Sequence, residues 1–144
     1  VIEKKAAVQS STESIPAEIG ESYKGVVVIS EIEGIDWQKG LITAVGKGLP
    51  PKHITNQAQA GILAIRAAKM EAYKNLLETV MKIKTPPDKD MKEYLIEKNI
   101  ESSYIEGFIK GARVVKEEYL DNGSAEVVLE LSLSGNDGLV AVLK

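Results

Sequence analysis

Glycines and lysines ahead of a helix can cradle a phosphate, and residues 46–54, GKGLPPKHI, place Gly46, Lys47, Gly48 and Lys52 just before a long helical stretch. The order is wrong for a P-loop, which needs GxxxxGK followed by Ser or Thr, and a dinucleotide fingerprint would need a third glycine. A structural turn is the reading the residues favour. His53 is the sole histidine, so any Ser-His-Asp triad would have to use it, and a histidine cluster for a metal is excluded. There is no cysteine, which removes disulfides, thiolate metal sites and cysteine nucleophiles together. Glu117 and Glu118 are adjacent and fall on opposite faces of a strand, so they do not form an acid/base pair. Of the two arginines, Arg66 and Arg113, the first lies in an alanine-rich helical stretch, where surface pairing is its expected role. No catalytic, cofactor or metal residue is assigned. The one binding alternative is a small-ligand module built from the loop from Gly46 to His53 and from Trp37, whose ring is otherwise expected to fold over the edge of the core.

The bulk properties are ordinary for a soluble domain. The chain has 144 residues, 44% hydrophobic and 27% charged, enough to bury a core as one domain. A net charge of -3 and a pI near 5.3, with lysines spread out, exclude a general nucleic-acid surface. Only seven residues are aromatic, so bases have no stacking series either. No apolar run reaches the length of about 18 to 20 residues that spans a bilayer. The chain opens at Val1, and a signal peptide or lipid anchor would lie upstream of it.

The element that must organise the rest is residues 55–82, proline-free and with Gly61 as its single glycine. Ala58, Ile62, Ile65, Ala68, Ala72, Leu76 and Val80 recur at spacings of three and four, predicting an amphipathic helix whose alanine-rich stripe lets a sheet approach closely. Glu71 with Lys74 and Glu78 with Lys82 are spaced to pair on its wet face. Thr55 or Asn56 is the expected cap.

Before the helix, residues 1–21 are polar and serine-rich and read as a flexible tether; residues 22–144 form the domain. Residues 24–32 and 41–45 are β-branched runs that predict two strands joined by a turn at 34–40. After it, residues 88–98 predict a short helix capped by Asp88 or Asp90, with Met91, Tyr94 and Leu95 as contacts. Residues 102–120 then read as one long or bulged strand, and residues 125–134 as its partner, with Val127, Leu129, Leu131 and Leu133 alternating. Asn122 and Gly123 supply the turn. A two-residue loop there sets Lys116 opposite Leu129, a mismatch that favours a bulge near Val114 and Val115. The apolar tail, residues 139–144, is expected to add an edge strand or cover one end of the sheet. The fold class is α+β: the long helix and a shorter one on one face of an antiparallel sheet.

Residues 40–51, GLITAVGKGLPP, followed by residues 60–83, AGILAIRAAKMEAYKNLLETVMKI, resemble the Lpp-twenty lipoprotein family of bacteria. That family is similar in turn to the amino-terminal domain of the flagellar assembly protein T. The shared pattern is a strand ending in Ala44, Gly46 and Gly48, then Ile65, Arg66, Ala67 and Ala68, then Ala72, Tyr73, Leu76 and Leu77; Trp37 ahead of the strand fits, as do Gly107 or Gly111 with Val114 and Val115. The resemblance covers residues 34–134 and departs from a lipoprotein in lacking the lipid-modified cysteine. It implies an exported protein of the periplasm or outer membrane that acts by assembly with protein partners or itself, without catalytic residues or cofactors.

Overall fold

A computed structural model describes residues 17–144. It shows an α+β fold: a four-stranded antiparallel sheet, a two-stranded ribbon and five helices among the described residues. In chain order these are α1 (Ala17–Tyr23), β1 (Ile35–Asp36), β2 (Leu41–Gly48), α2 (Gln57–Met81), β3 (Lys84–Thr85), β4 (Lys89–Asp90), α3 (Met91–Glu97), α4 (Ser102–Lys110), β5 (Arg113–Tyr119), β6 (Ala125–Ser132) and α5 (Leu139–Leu143). The main sheet runs β1-β2-β6-β5, so β2 is joined to its neighbour across most of the chain.

Helix α2 lies across one face of the sheet, over β2 and β6. Asn56 caps it by accepting from the Gln59 amide at 3.0 Å, which satisfies one of the otherwise unpaired first-turn donors. Its buried residues are Ala64, Ala68, Ala72, Leu76 and Val80, each four from the next. The predicted stripe is correct from Ala68 onward and wrong at Ala58 and Ile62, while Ile65 packs partly buried against the core. Ala58 and Ile62 are exposed and Ile65 is half-buried, because the helix meets β2 backbone to backbone and only alanine fits the seam. A Cβ on Gly46 would lie 2.1 Å from the Ala68 carbonyl oxygen, and one on Gly48 would lie 2.2 Å from that of Ala64. These two glycines therefore serve close approach instead of a turn. Facing the helix, Ile42 and Ala44 alternate along β2, and Ala125, Val127, Leu129 and Leu131 along β6, as the period-two pattern of β6 predicts.

Two other expectations change. Residues 24–32 form no strand; they make one bridge, Val28 to Lys84, and bury Val26 and Val27 in succession, which a one-faced strand cannot do. The expected long strand from 102 begins instead as α4, with Ile105 and Ile109 buried one turn apart, before β5 starts at Arg113. Of the two roles expected for the tail it takes the second: it forms α5, burying Leu139, Val140 and Leu143 at the end of the sheet, and the Tyr94 hydroxyl donates to the Leu143 carbonyl. The short helix fits its prediction: the Asp90 side chain accepts from the Glu93 amide at 2.8 Å, and Met91 and Leu95 are buried. The bulge sits between Val114 and Lys116, and the loop after β5 is one residue longer than expected, which sets Lys116 opposite Val128.

The tether expected over residues 1–21 falls largely outside the described residues, but its boundary shifts, since α1 already begins at Ala17. Tyr23 ends α1 fully buried, its ring edge-on to Trp37 at 5.2 Å and its hydroxyl donating to the Trp37 carbonyl. Burial pushes the phenol above the ordinary tyrosine value; the Asp36 carboxylate adds to that, and a Ser134 hydrogen bond opposes it. The folded chain thus holds this proton more tightly than the unfolded chain. That contribution to stability is intact below about pH 10 and is lost as pH rises through the raised value. Tyr23→Phe should cost about 1 kcal/mol at neutral pH and make the alkaline fall in Tm shallower, measured by circular dichroism.

Candidate functional site

The residues singled out for chemistry are dispersed. His53 and Lys52 are exposed in the segment after β2. Gly46 and Gly48 face α2, while Lys47 points to the opposite face of the sheet, 4.0 Å from Glu126, so no anion cradle forms. Trp37 is buried, and its indole N–H donates to the Ser30 carbonyl at 2.7 Å. It follows β1 at the Leu41 end of β2, whereas Gly48 and His53 lie at or beyond the other end, roughly 20 Å along the strand. The ligand module imagined from Trp37 and the loop from Gly46 to His53 is therefore not assembled. Glu117 turns toward α2 and meets Lys69 at 2.9 Å, while Glu118 turns away and meets Lys116 at 3.1 Å, as adjacent strand positions must. The Glu71–Lys74 and Glu78–Lys82 pairs do not form, and Arg66 is exposed with no ion pair among the described residues. No group of three or more acidic or histidine side chains suited to a metal occurs among the described residues.

What the fold does build, among the described residues, is a sheet with one face covered and the other open. The open face carries Thr43, Val45 and Lys47 from β2, Glu126, Val128 and Glu130 from β6, and Arg113, Lys116 and Glu118 from β5. Val45 and Val128 are cross-strand partners at its centre. Charges frame them: Arg113 pairs with Glu130, and Lys116 reaches both Glu118 and, at 3.6 Å, Glu126. The Glu118 carboxylate, by hydrogen bond and by charge, holds the Lys116 ammonium above the ordinary lysine value, and Glu126 adds to it. Exposed pairs of this kind are screened by water and contribute little to stability, so their effect is to keep this face hydrated and its register fixed. No family model matches this chain, and no curated protein matches it.

The two edges of the sheet differ. On the β5 edge stand a bulge and the run Lys116, Glu117, Glu118. On the other, β1 pairs only with Leu41 and Ile42, and the Thr43 amide adds one bond to the Gly34 carbonyl at 2.8 Å. Beyond it the Asn75 side-chain amide donates to the Val45 carbonyl at 2.8 Å. A cleft of about 530 Å³ runs there, between β2 and the flank of α2, lined by Glu33, Thr43, Val45, Asn75, Glu78 and Lys82 among others. Sequence reasoning missed Asn75. The one signal was a short amide side chain beside the apolar stripe, and only the packing of α2 on β2 shows what it reaches.

Proposed function

We propose that this chain is a non-enzymatic, exported cell-envelope protein that works by assembling with other proteins, in or near a flagellar or outer-membrane structure. The single observation that carries the assembly reading is the sheet, whose face opposite α2 is covered by no element among the described residues and carries paired charges around Val45 and Val128. Surfaces with interspersed charges about a small apolar centre suit specific, reversible protein contacts. The compartment and the flagellar association rest on the resemblance to the Lpp-twenty lipoproteins and on no feature of the fold. Fractionation of cells carrying the full-length gene, followed by cross-linking of intact cells, tests both parts. Recovery with the envelope in cross-linked complexes is the expected result; recovery as an uncomplexed cytosolic protein would overturn it.

A further inference from the structure

We infer that the outer edge of β2 at residues 45–48 is a docking edge for one extended segment of a partner protein, added to the sheet as an antiparallel strand in line with β1. The inference rests on the assembly reading and names the surface it uses.

Hydrogen-bonding direction alternates along a strand, and two contacts fix its phase in β2. The Thr43 amide bonds outward to Gly34, and the Val45 carbonyl accepts outward from Asn75. The backbone groups of residues 43, 45 and 47 therefore point away from β6, while those of 42, 44, 46 and 48 belong to the ladder with it. Past Thr43 no strand among the described residues pairs with this side. The Val45 amide and both backbone groups of Lys47 face outward with no hydrogen-bond partner among the described residues, and only the Val45 carbonyl is covered, by the Asn75 side-chain amide.

Folded chains usually blunt such an edge with bulges, charge runs or proline, and β5 shows two of these devices. The β2 edge has Gly46, one lysine and Gly48, between Val45 at 42% exposure and Leu49 at 73%. Its two glycines are committed to α2, so the bare edge accompanies the seam that holds the fold.

The occupant is a single extended chain and not a second copy. Helix α2 lies chiefly over β2. Joining two copies edge to edge would set their β2 strands about 4.8 Å apart, whereas packed helices need about 8 to 10 Å between axes. A lone segment meets no such obstacle. Glu33 and Glu78 against Lys82 leave the cleft wall net negative, which favours a segment with basic side chains on that side and β-branched ones on the side of Val45.

The test uses amide exchange by NMR and a capped pentapeptide of alternating valine and lysine. In the free chain, the Val45 and Lys47 amides should exchange far faster than those of Val127 and Leu129. Millimolar peptide should slow both at least about tenfold, and a peptide N-methylated at its bonding amides should not. Val45 and Lys47 amides already protected in the free chain, or unmoved by the peptide, would overturn the inference. Lys47→Pro removes an outward N–H at a position where an edge strand tolerates proline, so the sheet should persist and the peptide effect should vanish. A peptide effect that survives in Lys47→Pro also counts against it. Cross-linked envelope complexes with an inert edge would sink the edge alone; a responsive edge on a cytosolic monomer would sink the functional reading alone.

Discussion

Gly46→Ala should remove most of the stability of this chain, although it adds one methyl group to a strand. The new Cβ would sit 2.1 Å from the Ala68 carbonyl oxygen and 2.2 Å from the Ala72 amide nitrogen. Both are backbone atoms in the middle of α2, so no side chain can rotate out of the way. The helix itself would have to rise from the sheet. Lifting it opens the contacts that Ala64, Ala68, Ala72 and Leu76 make with β2 and β6, all of which are fully buried in the helix stripe. Overpacking that side chains can absorb costs about 1 to 3 kcal/mol, and a backbone collision should exceed that, against a total of about 5 to 15 kcal/mol for a domain. Urea unfolding followed by circular dichroism should show a steep fall in midpoint, or no folded baseline. The same substitution at Gly107, inside α4 with nothing within 4 Å of the new Cβ, should stabilise by about 0.5 to 1 kcal/mol. Equal midpoints for Gly46→Ala and the parent would show that the seam is not as tight as drawn.

That seam also explains where the sequence could be read and where it could not. Local signals held: the alternation of β6, the cap at Asn56, the cap at Asp90 and the bulge before Lys116 each depend on residues within a few positions. The start of the helix stripe is not legible in the sequence, because isoleucine outranks alanine in burial while a close seam selects for small size, leaving Ile62 at 53% exposure. Residues 102–112 look like a strand by composition, while Ile105, Phe108, Ile109 and Ala112 have helical spacing that the β-branched run beyond them masks. The segment 24–32 has strand composition but no strand to pair with beyond a single bridge. The edge of β2 was illegible for a deeper reason. Whether a strand has a free edge depends on which strands flank it, and the order β1-β2-β6-β5 joins β2 to a strand far along the chain. Asn75, likewise, reaches Val45 thirty positions away. Packing decides such contacts, and composition does not.

Trp37→Ala is the second variant with a large expected cost, and its effect should spread through a different part of the molecule. The ring is 1% exposed and stands edge-on to Tyr23, and its N–H is the partner of the Ser30 carbonyl. Truncation leaves a cavity, an orphaned carbonyl and a lost aromatic pair, together about 3 to 5 kcal/mol. Trp37→Phe keeps most of the volume and loses the N–H, so its cost should be smaller, about 1 to 3 kcal/mol. The two contacts tie α1 and the segment after it to the turn between β1 and β2, whereas α2 meets the sheet without them. Amide exchange at low denaturant should therefore show α1 and residues 24–32 of Trp37→Ala opening at a lower free energy than β6. A uniform loss of protection through α1 and β6 alike would mean that the Trp37 cluster belongs to the same cooperative unit as the helix-sheet seam. In Gly46→Ala that uniform loss is the expected pattern, because its collision lies between α2 and the sheet, and comparing the two exchange profiles separates the two anchors of the fold.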